Sequence, residues 1–461
     1  MDFDAAVGYM SGLIRFGWKL GNERFEALCA RLGDPQDRYE IIHVAGTKGK
    51  GSTTALAAAI LHAAGYKVGA YFSPYVYDVR ERVQVNGALI PREDFARLVT
   101  QIFPHIEALA QTELGQTTEF ELKTLLGFLY FAEQGVDYAC IEVGLGGRLD
   151  ATNVVRPTVT VITNIGLDHT NILGDTHAQI AAEKAGILKP GVPCFTATEN
   201  PEALEVITRI AAEREVPLAR VRRGELSGPT YDPMEVLWNV TSHPSDPPLP
   251  QGARGEYQHT APVSIATPSR FYPDLEMRMG GIYQRANAAC AVAAVEKALE
   301  VKGIVLPEKA VREALATTAL PGRLSVYRIP KGPLVVMDGA HNALAAESLA
   351  GPVAALQAQH HIRRLLLVVG MVGGHEPEGV LAALAPGADR IYACQPDWKR
   401  AQPAEEIAAA ARRFCPNVEV IPSCKKAAWA ALAAAGPEDM VLITGSFYTV
   451  GEVPLEMLSG S

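Results

Sequence analysis

What most limits the possible folds of this chain is a repeated alternation of β-rich and helix-forming runs. Asp137–Val143 (DYACIEV) and Thr158–Ile165 (TVTVITNI) are β-branched and carry little polarity, as expected of strands covered on both faces. Tyr39–Ala45, Lys67–Phe72 and Val192–Thr196 read the same way. Ser52–Ala64, Phe120–Glu133 and Asp175–Leu188 carry helix formers or helical spacing between them. The alternation predicts an α/β protein with a mainly parallel sheet and helices on both faces. From Arg223 to Arg270 the texture changes to irregular strands and loops at a sheet edge, and Ser242–Pro250 (SHPSDPPLP) is incompatible with regular structure. Met279–Val301 is helical again.

A second alternating block starts near Leu324. Leu334–Met337, Leu365–Val369, Arg390–Ala393 and Met440–Thr444 read as strands, and Ala343–Gln359, Pro403–Phe414 and Lys425–Ala435 as helices. Pro321-Gly322 breaks the pattern and places a linker near Thr317–Arg323. Two domains are expected, 1–320 and a smaller 321–461, in keeping with about 100–200 residues per domain as a loose prior.

Composition narrows the function. The net charge of -9 argues against a general nucleic-acid binder, which needs a basic stripe. Seven cysteines, none in a C-x-x-C pair, suit isolated thiols in a reducing compartment. No basic region precedes an apolar run at the N-terminus, and no run reaches the ~18 apolar residues of a membrane span. A cytoplasmic monomer without membrane or nucleic-acid partners is expected.

Gly46-Thr47-Lys48-Gly49-Lys50-Gly51-Ser52-Thr53 follows a buried-type strand and opens a helix. Glycines let backbone N–H groups turn toward an anion, and the helix N-terminus adds positive potential. Lys50 then reaches the outer phosphates of a nucleotide. The strict G-x-x-x-x-G-K-[ST] pattern fails, since Val44 stands at its first position and Gly51 separates Lys50 from Ser52. Glu142 ends a strand ahead of Gly144-Leu145-Gly146-Gly147, and His169 follows the next strand. Both fall at the carboxyl edge of the sheet, where open α/β sheets bind ligands.

The loop resembles that of the Mur ligase superfamily, and the rest of the chain resembles its folylpolyglutamate synthase and dihydrofolate synthase branch. The resemblance runs through Ile42–Thr53, Phe72–Gly87, Ile141–Asn153, Ile165–Gly174, Ile180–Leu188, Gly281–Asn287, Pro321–Arg323, Asp338–Asn342 and Thr444–Val453. It implies a P-loop ATPase domain followed by a smaller Rossmann-like domain that binds glutamate. It also implies ATP and Mg²⁺ as cofactors, with Ser73 and Glu142 holding one ion and Glu142 and His169 a second. Lys184 matches a carbamylated lysine. Thr118, Phe120, Glu121, Asp150 and Ala151 match positions that contact the pterin end of the substrate. Asn287, Arg323 and Asp338 match nucleotide positions, and His341 and Ser446 match those that receive L-glutamate.

The reaction so implied is ATP-dependent amide formation. A folate or dihydropteroate carboxylate attacks the γ-phosphate, and glutamate then attacks the acyl phosphate. Lys50, Lys184 and His169 are the candidate catalytic residues. The chain departs from the family pattern at Tyr75 and Tyr283 (usually histidine), Ser325, Ala343 and Gly373-Gly374-His375. A Mur-type ligase with another acceptor and a P-loop kinase or NTPase are the competing readings.

Overall fold

The computed structural model describes residues 1–13, 21–240, 262–374 and 376–458. Ser242–Pro250 and His375 lie outside the described residues. The chain divides into two compact units. The described part of the first is 1–13, 21–240, Pro262–Met277 and Tyr283–Thr318; that of the second is Arg278–Ile282, 319–374 and 376–458.

The first unit is built on an 11-stranded sheet. Its strands are β1 (Glu40–Ala45), β2 (Val68–Tyr71), β3 (Val83–Val85), β4 (Ala88–Leu89), β5 (Tyr138–Glu142), β6 (Val159–Ile162), β7 (Cys194–Thr196), β8 (Leu218–Arg223), β9 (Glu235–Val240), β10 (Val263–Ala266) and β11 (Phe271–Leu275). Their order is β11-β10-β9-β8-β7-β6-β1-β5-β2-β3-β4, parallel from β9 to β2 and antiparallel at both edges. The change of texture after Arg223 is thus the passage to an edge, where an antiparallel hairpin needs no crossover helix.

β1 lies between β5 and β6, so the chain leaves it toward both halves of the sheet. Register then decides what meets at its carboxyl end. Val44 pairs with Glu142, Ala45 with Ile162, and Tyr71 with Ile141. Glu142, which ends β5, and the residues just past the other strands (Gly46, Ser73 and Thr163) therefore share one edge.

Helix Lys50–Ala63 packs on helix Tyr283–Glu300. The latter buries an unbroken run from Asn287 to Val295, as a helix enclosed on nearly all sides does. It starts at Tyr283, later than the expected Met279. The expected helix Asp175–Leu188 is shorter and in two parts: His177–Lys184, capped by Thr176, then a 3-10 turn over Ala185–Ile187. Helices Phe3–Gly12 and Arg92–Ala110, absent from the sequence reading, pack against each other.

The second unit has a 6-stranded sheet of β12 (Ser325–Arg328), β13 (Leu334–Met337), β14 (Arg364–Gly370), β15 (Arg390–Gln395), β16 (Val418–Ser423) and β17 (Asp439–Thr444). The order is β12-β13-β17-β14-β15-β16, parallel except for β12. Met337 pairs with Ile443 and Thr444 with Val369, so Asp338, Gly445 and Gly370 follow one carboxyl edge.

Candidate active site

The glycine-rich loop has the geometry of an anion cradle. Gly46 and Gly49 have φ of +148° and +84°. A Cβ on Gly46 would lie 1.8 Å from Thr163 Oγ1, and one on Gly49 2.3 Å from Asn287 Oδ1. Only glycine combines those dihedrals with that closeness. Helix Lys50–Ala63 starts immediately afterwards, so its N-terminal amides stand at the loop. Ser52 and Thr53 are buried in its first turn, and Lys50 is half-buried at its mouth. Asn287 thus reaches the loop from its own helix, where its amide also donates to Gln284 Oε1 at 2.8 Å.

The loop is braced by the segment after β6. Asn164 accepts the Thr47 amide on its carbonyl and the Lys48 amide on Oδ1, each at 2.8 Å. Thr163 Oγ1 donates to Lys48 O at 2.6 Å, and the Gly166 amide donates to Thr47 Oγ1 at 3.0 Å. Lys48 Nζ pairs with Asp168 Oδ2 at 2.9 Å. Sequence reading missed Thr163, Asn164 and Asp168. The available signal was their position just past a buried strand, the same that singled out Glu142.

Glu142 is buried at 3% exposure and accepts the Ser73 amide on Oε2 at 2.8 Å. The same oxygen lies 3.3 Å from the Cβ position of Gly51, against the loop. A buried carboxylate beside an oxygen-bearing serine and a phosphate cradle fits Mg²⁺, which takes oxygen ligands and fills its shell with water and phosphate oxygens. His169 has a left-handed backbone (φ +50°) whose amide donates to Asp168 Oδ1 at 3.0 Å, and a side chain 49% exposed. Among the described residues no three His, Cys, Asp or Glu side chains converge on one metal position.

Lys184 is buried at 4% and donates from Nζ to Gly46 O at 2.9 Å. Burial, with the positive charge of Lys50 adding to it, pushes its amine down to about 7. At neutral pH a large fraction is therefore the unprotonated nucleophile.

The positions matched to the pterin end are knitted into the fold. Thr118 and Glu121 form a capping box at the start of helix Glu119–Gln134, and Arg24 donates to both Glu121 oxygens at 3.0 Å. Asp150 accepts from the Leu145 amide at 2.9 Å and the Thr152 amide at 3.0 Å, and it caps the turn that holds Ala151. Burial raises its pKa, with these hydrogen bonds opposing. Phe120 and Asp150 meet over Gly144, whose Cβ position lies 2.4 Å from Phe120 Cζ and 3.0 Å from Asp150 Oδ2.

In the second unit Phe447 is the hub. Arg323 stacks on its ring at 4.4 Å, and His341 is tilted against it at 6.4 Å. His341 Nδ1 faces Gly339 O at 2.9 Å. Asp338 accepts the Leu324 amide at 2.7 Å and the Ala340 amide at 2.9 Å. Ser446 is buried, caps the helix Phe447–Gly451, and bonds to Thr449 Oγ1 at 2.8 Å. Arg323, Asp338, His341 and Ser446 thus belong to one carboxyl edge of one sheet. Phe447, which organises them, was not singled out in the sequence.

Two family profiles match the chain: the Mur ligase middle domain over residues 44–211 and the Mur ligase glutamate ligase domain over 322–447. Dihydrofolate synthase/folylpolyglutamate synthase of Bacillus subtilis is 37% identical over 460 residues, covering 98% of each chain. Among solved structures, Escherichia coli FolC in complex with DHPP and ADP is similar, with a TM-score of 0.81, 33% identity, and coverage of 98% of this chain and 96% of that one. The bifunctional folylpolyglutamate synthase/dihydrofolate synthase of Yersinia pestis, complexed with AMPPNP and Mn ion, has a TM-score of 0.80 at 30% identity, covering 99% of this chain and 98% of that one.

Proposed function

Since this chain belongs to the folylpolyglutamate synthase/dihydrofolate synthase family of Mur ligases, we propose that it joins L-glutamate to the carboxylate of a folate or of dihydropteroate at the expense of ATP. It is an ATP-dependent ligase. The observation that carries the reading is the meeting of cradle, carboxylate and buried lysine at the end of β1. Glu142 and Lys184 both touch the loop that holds the phosphates.

The loop amides and the helix N-terminus hold the nucleotide phosphates, with Lys50 at the outer ones. Asn287 adjoins the loop as a nucleotide residue. Ser73 and Glu142 would hold one Mg²⁺, and Glu142 and the half-exposed His169 a second, weaker one. When bound, such ions would supply charge neutralisation at the phosphate oxygens. The acceptor carboxylate displaces ADP from the γ-phosphorus and becomes an acyl phosphate. The amine of glutamate then attacks the acyl carbon, phosphate leaves, and an amide remains. Neither step needs a covalent nucleophile from the protein.

Residues 1–320 are assigned to nucleotide, metal and acceptor, with Phe120 and Asp150 at the pterin end and Thr118, Glu121 and Ala151 shaping that wall. Residues 321–461 are assigned to glutamate through His341 and Ser446, and Arg323 and Asp338 are assigned as nucleotide residues. The chain is assigned to the cytoplasm as a monomer, in keeping with seven free cysteines, all buried. No helix among the described residues is long and apolar enough to cross a membrane.

The test is purified protein with ATP, Mg²⁺, labelled glutamate and each acceptor in turn. The expected result is phosphate release and labelled amide only when acceptor and glutamate are both present. Phosphate release that ignores glutamate would point to a kinase or NTPase instead.

A further inference from the structure

Ser73–Arg82 leaves β2 as a closed loop. The Glu81 carboxylate accepts the amides of Val76, Tyr77 and Asp78 at 2.8, 2.8 and 2.9 Å. Asp78 accepts the Arg80 amide at 2.9 Å and pairs with its guanidinium at 2.7 Å. Both acids of the segment are thereby engaged, and neither pairs with Arg82. Arg82 Nε is buried without a hydrogen-bond partner, and Nη1 makes a long 3.4 Å contact to Phe72 O. Its guanidinium lies 5.7 Å from the centre of the Tyr75 ring. Lys123 Nζ lies 5.8 Å from the same ring, but it is paired with Glu119. The Arg82 guanidinium also comes within hydrogen-bonding reach of the Tyr71 phenol, a neutral partner that is edge-on to Phe120 at 6.4 Å.

A half-buried guanidinium with an unsatisfied N–H and no acidic partner among the described residues is poised for an anion. Its planar fork matches a carboxylate. Place decides which anion. Phe72 precedes Ser73, whose amide is on Glu142, so Arg82 stands next to the phosphate-transfer position. The nucleotide already has the glycine loop and Lys50. The wall beside Arg82 is aromatic (Tyr71, Tyr75 and Phe120), which suits an anion carried on a flat ring. Where the family usually has histidine, Tyr75 gives this chain a neutral π-face under the arginine.

We propose that Arg82, backed by Tyr75, is the subsite that seats the carboxylate end of the acceptor, an anion on a flat aromatic amide body. The proposal deepens the ligase reading and rests on it for the identity of the acceptor. Arg82 is a specificity residue for the acceptor and leaves nucleotide binding alone.

The test is equilibrium titration of the full chain, with ADP and Mg²⁺ present, by a folate acceptor and by the same acceptor amidated at its carboxylates. Arg82→Gln should weaken the free acid about ten- to a hundredfold, the effect of losing a hydrogen-bonded charge. It should leave ADP affinity unchanged, and Arg82→Lys should recover part of the loss. The amidated acceptor should bind wild type as weakly as the free acid binds Arg82→Gln. Equal affinity of wild type for acid and amide overturns the proposal even if Arg82→Gln fails to fold. So does a folded Arg82→Gln that keeps acceptor affinity or loses ADP in parallel. The ligase reading fails separately: a wild type that prefers the acid through Arg82 but never incorporates labelled glutamate keeps the subsite and loses the reaction.

Discussion

Lys184 is held where an ammonium is costly, and this has two measurable consequences. With its amine lowered to about 7 from an ordinary 10.5, the unfolded chain keeps a proton that the folded chain has released between those values. Raising pH through that window therefore favours the folded state, and below it the group opposes folding. In buffer free of carbon dioxide, wild type should gain urea stability relative to Lys184→Met between pH 7 and pH 10; parallel profiles would show that the lysine titrates normally. The neutral amine can also attack carbon dioxide. Bond formation to carbon, with loss of one amine proton, gives a carbamate that keeps an N–H for Gly46 O and adds two oxygen acceptors. Intact-protein mass spectrometry under gentle conditions in bicarbonate should show this adduct and lose it in Lys184→Met. Lys50 acts through charge at the loop. Lys50→Ala should cut kcat by roughly 10²–10³, about 2.7–4 kcal/mol for one positioned donor, with little change in thermal midpoint. A variant keeping a tenth of the activity would remove Lys50 from phosphate transfer. Glu142→Gln keeps an acceptor for the Ser73 amide but loses the anion, so Mg²⁺ dependence should weaken far more than stability. Unchanged metal titration curves would make Glu142 structural.

Elements explain why much of the site was legible and some was not. The strands that carry it, β1, β5, β6, β13 and β17, are apolar runs long enough to read directly. Their carboxyl ends are where a parallel sheet exposes ligand-binding loops, so Gly46–Thr53, Glu142, His169 and Asp338 could be placed from the sequence. Partners across the chain could not. Arg24 lies 97 residues before the Glu121 it grips, and Asn164 reaches the loop at Lys48 across 116 residues. No local pattern encodes such pairs. Resemblance alone also left the work of Glu121 and Ser446 half-told, since both side chains hold helix N-termini. The Arg24–Glu121 pair is buried on both sides. Arg24→Met should therefore cost about 3–5 kcal/mol by stranding a carboxylate, whereas Thr118→Ala should cost about 1 kcal/mol as a lost cap. Urea denaturation of the two variants gives the comparison, and equal small losses would mean that Glu121 finds another partner.

At the scale of the whole molecule, each unit has its own sheet, and among the described residues buried apolar side chains form two clusters in the first unit and one in the second. The groups proposed for the two chemical steps divide the same way. Phosphate cradle, Glu142, Lys184 and Arg82 belong to the first unit, and His341, Ser446 and Phe447 to the second. A substitution in the second unit should then separate the steps. His341→Ala removes an imidazole that rests on Phe447 and Gly339 O, and it leaves every group around β1 in place. It should still form acyl phosphate from ATP and acceptor, seen as acceptor-dependent scrambling of bridging oxygen label in ATP without glutamate. Amide formation should fall about a hundredfold through glutamate KM or kcat, the range of one positioned polar group. If scrambling is lost together with ligation, His341 takes part in phosphate transfer and the division of labour is wrong. If both are retained, the glutamate-binding role of the edge after β13 falls.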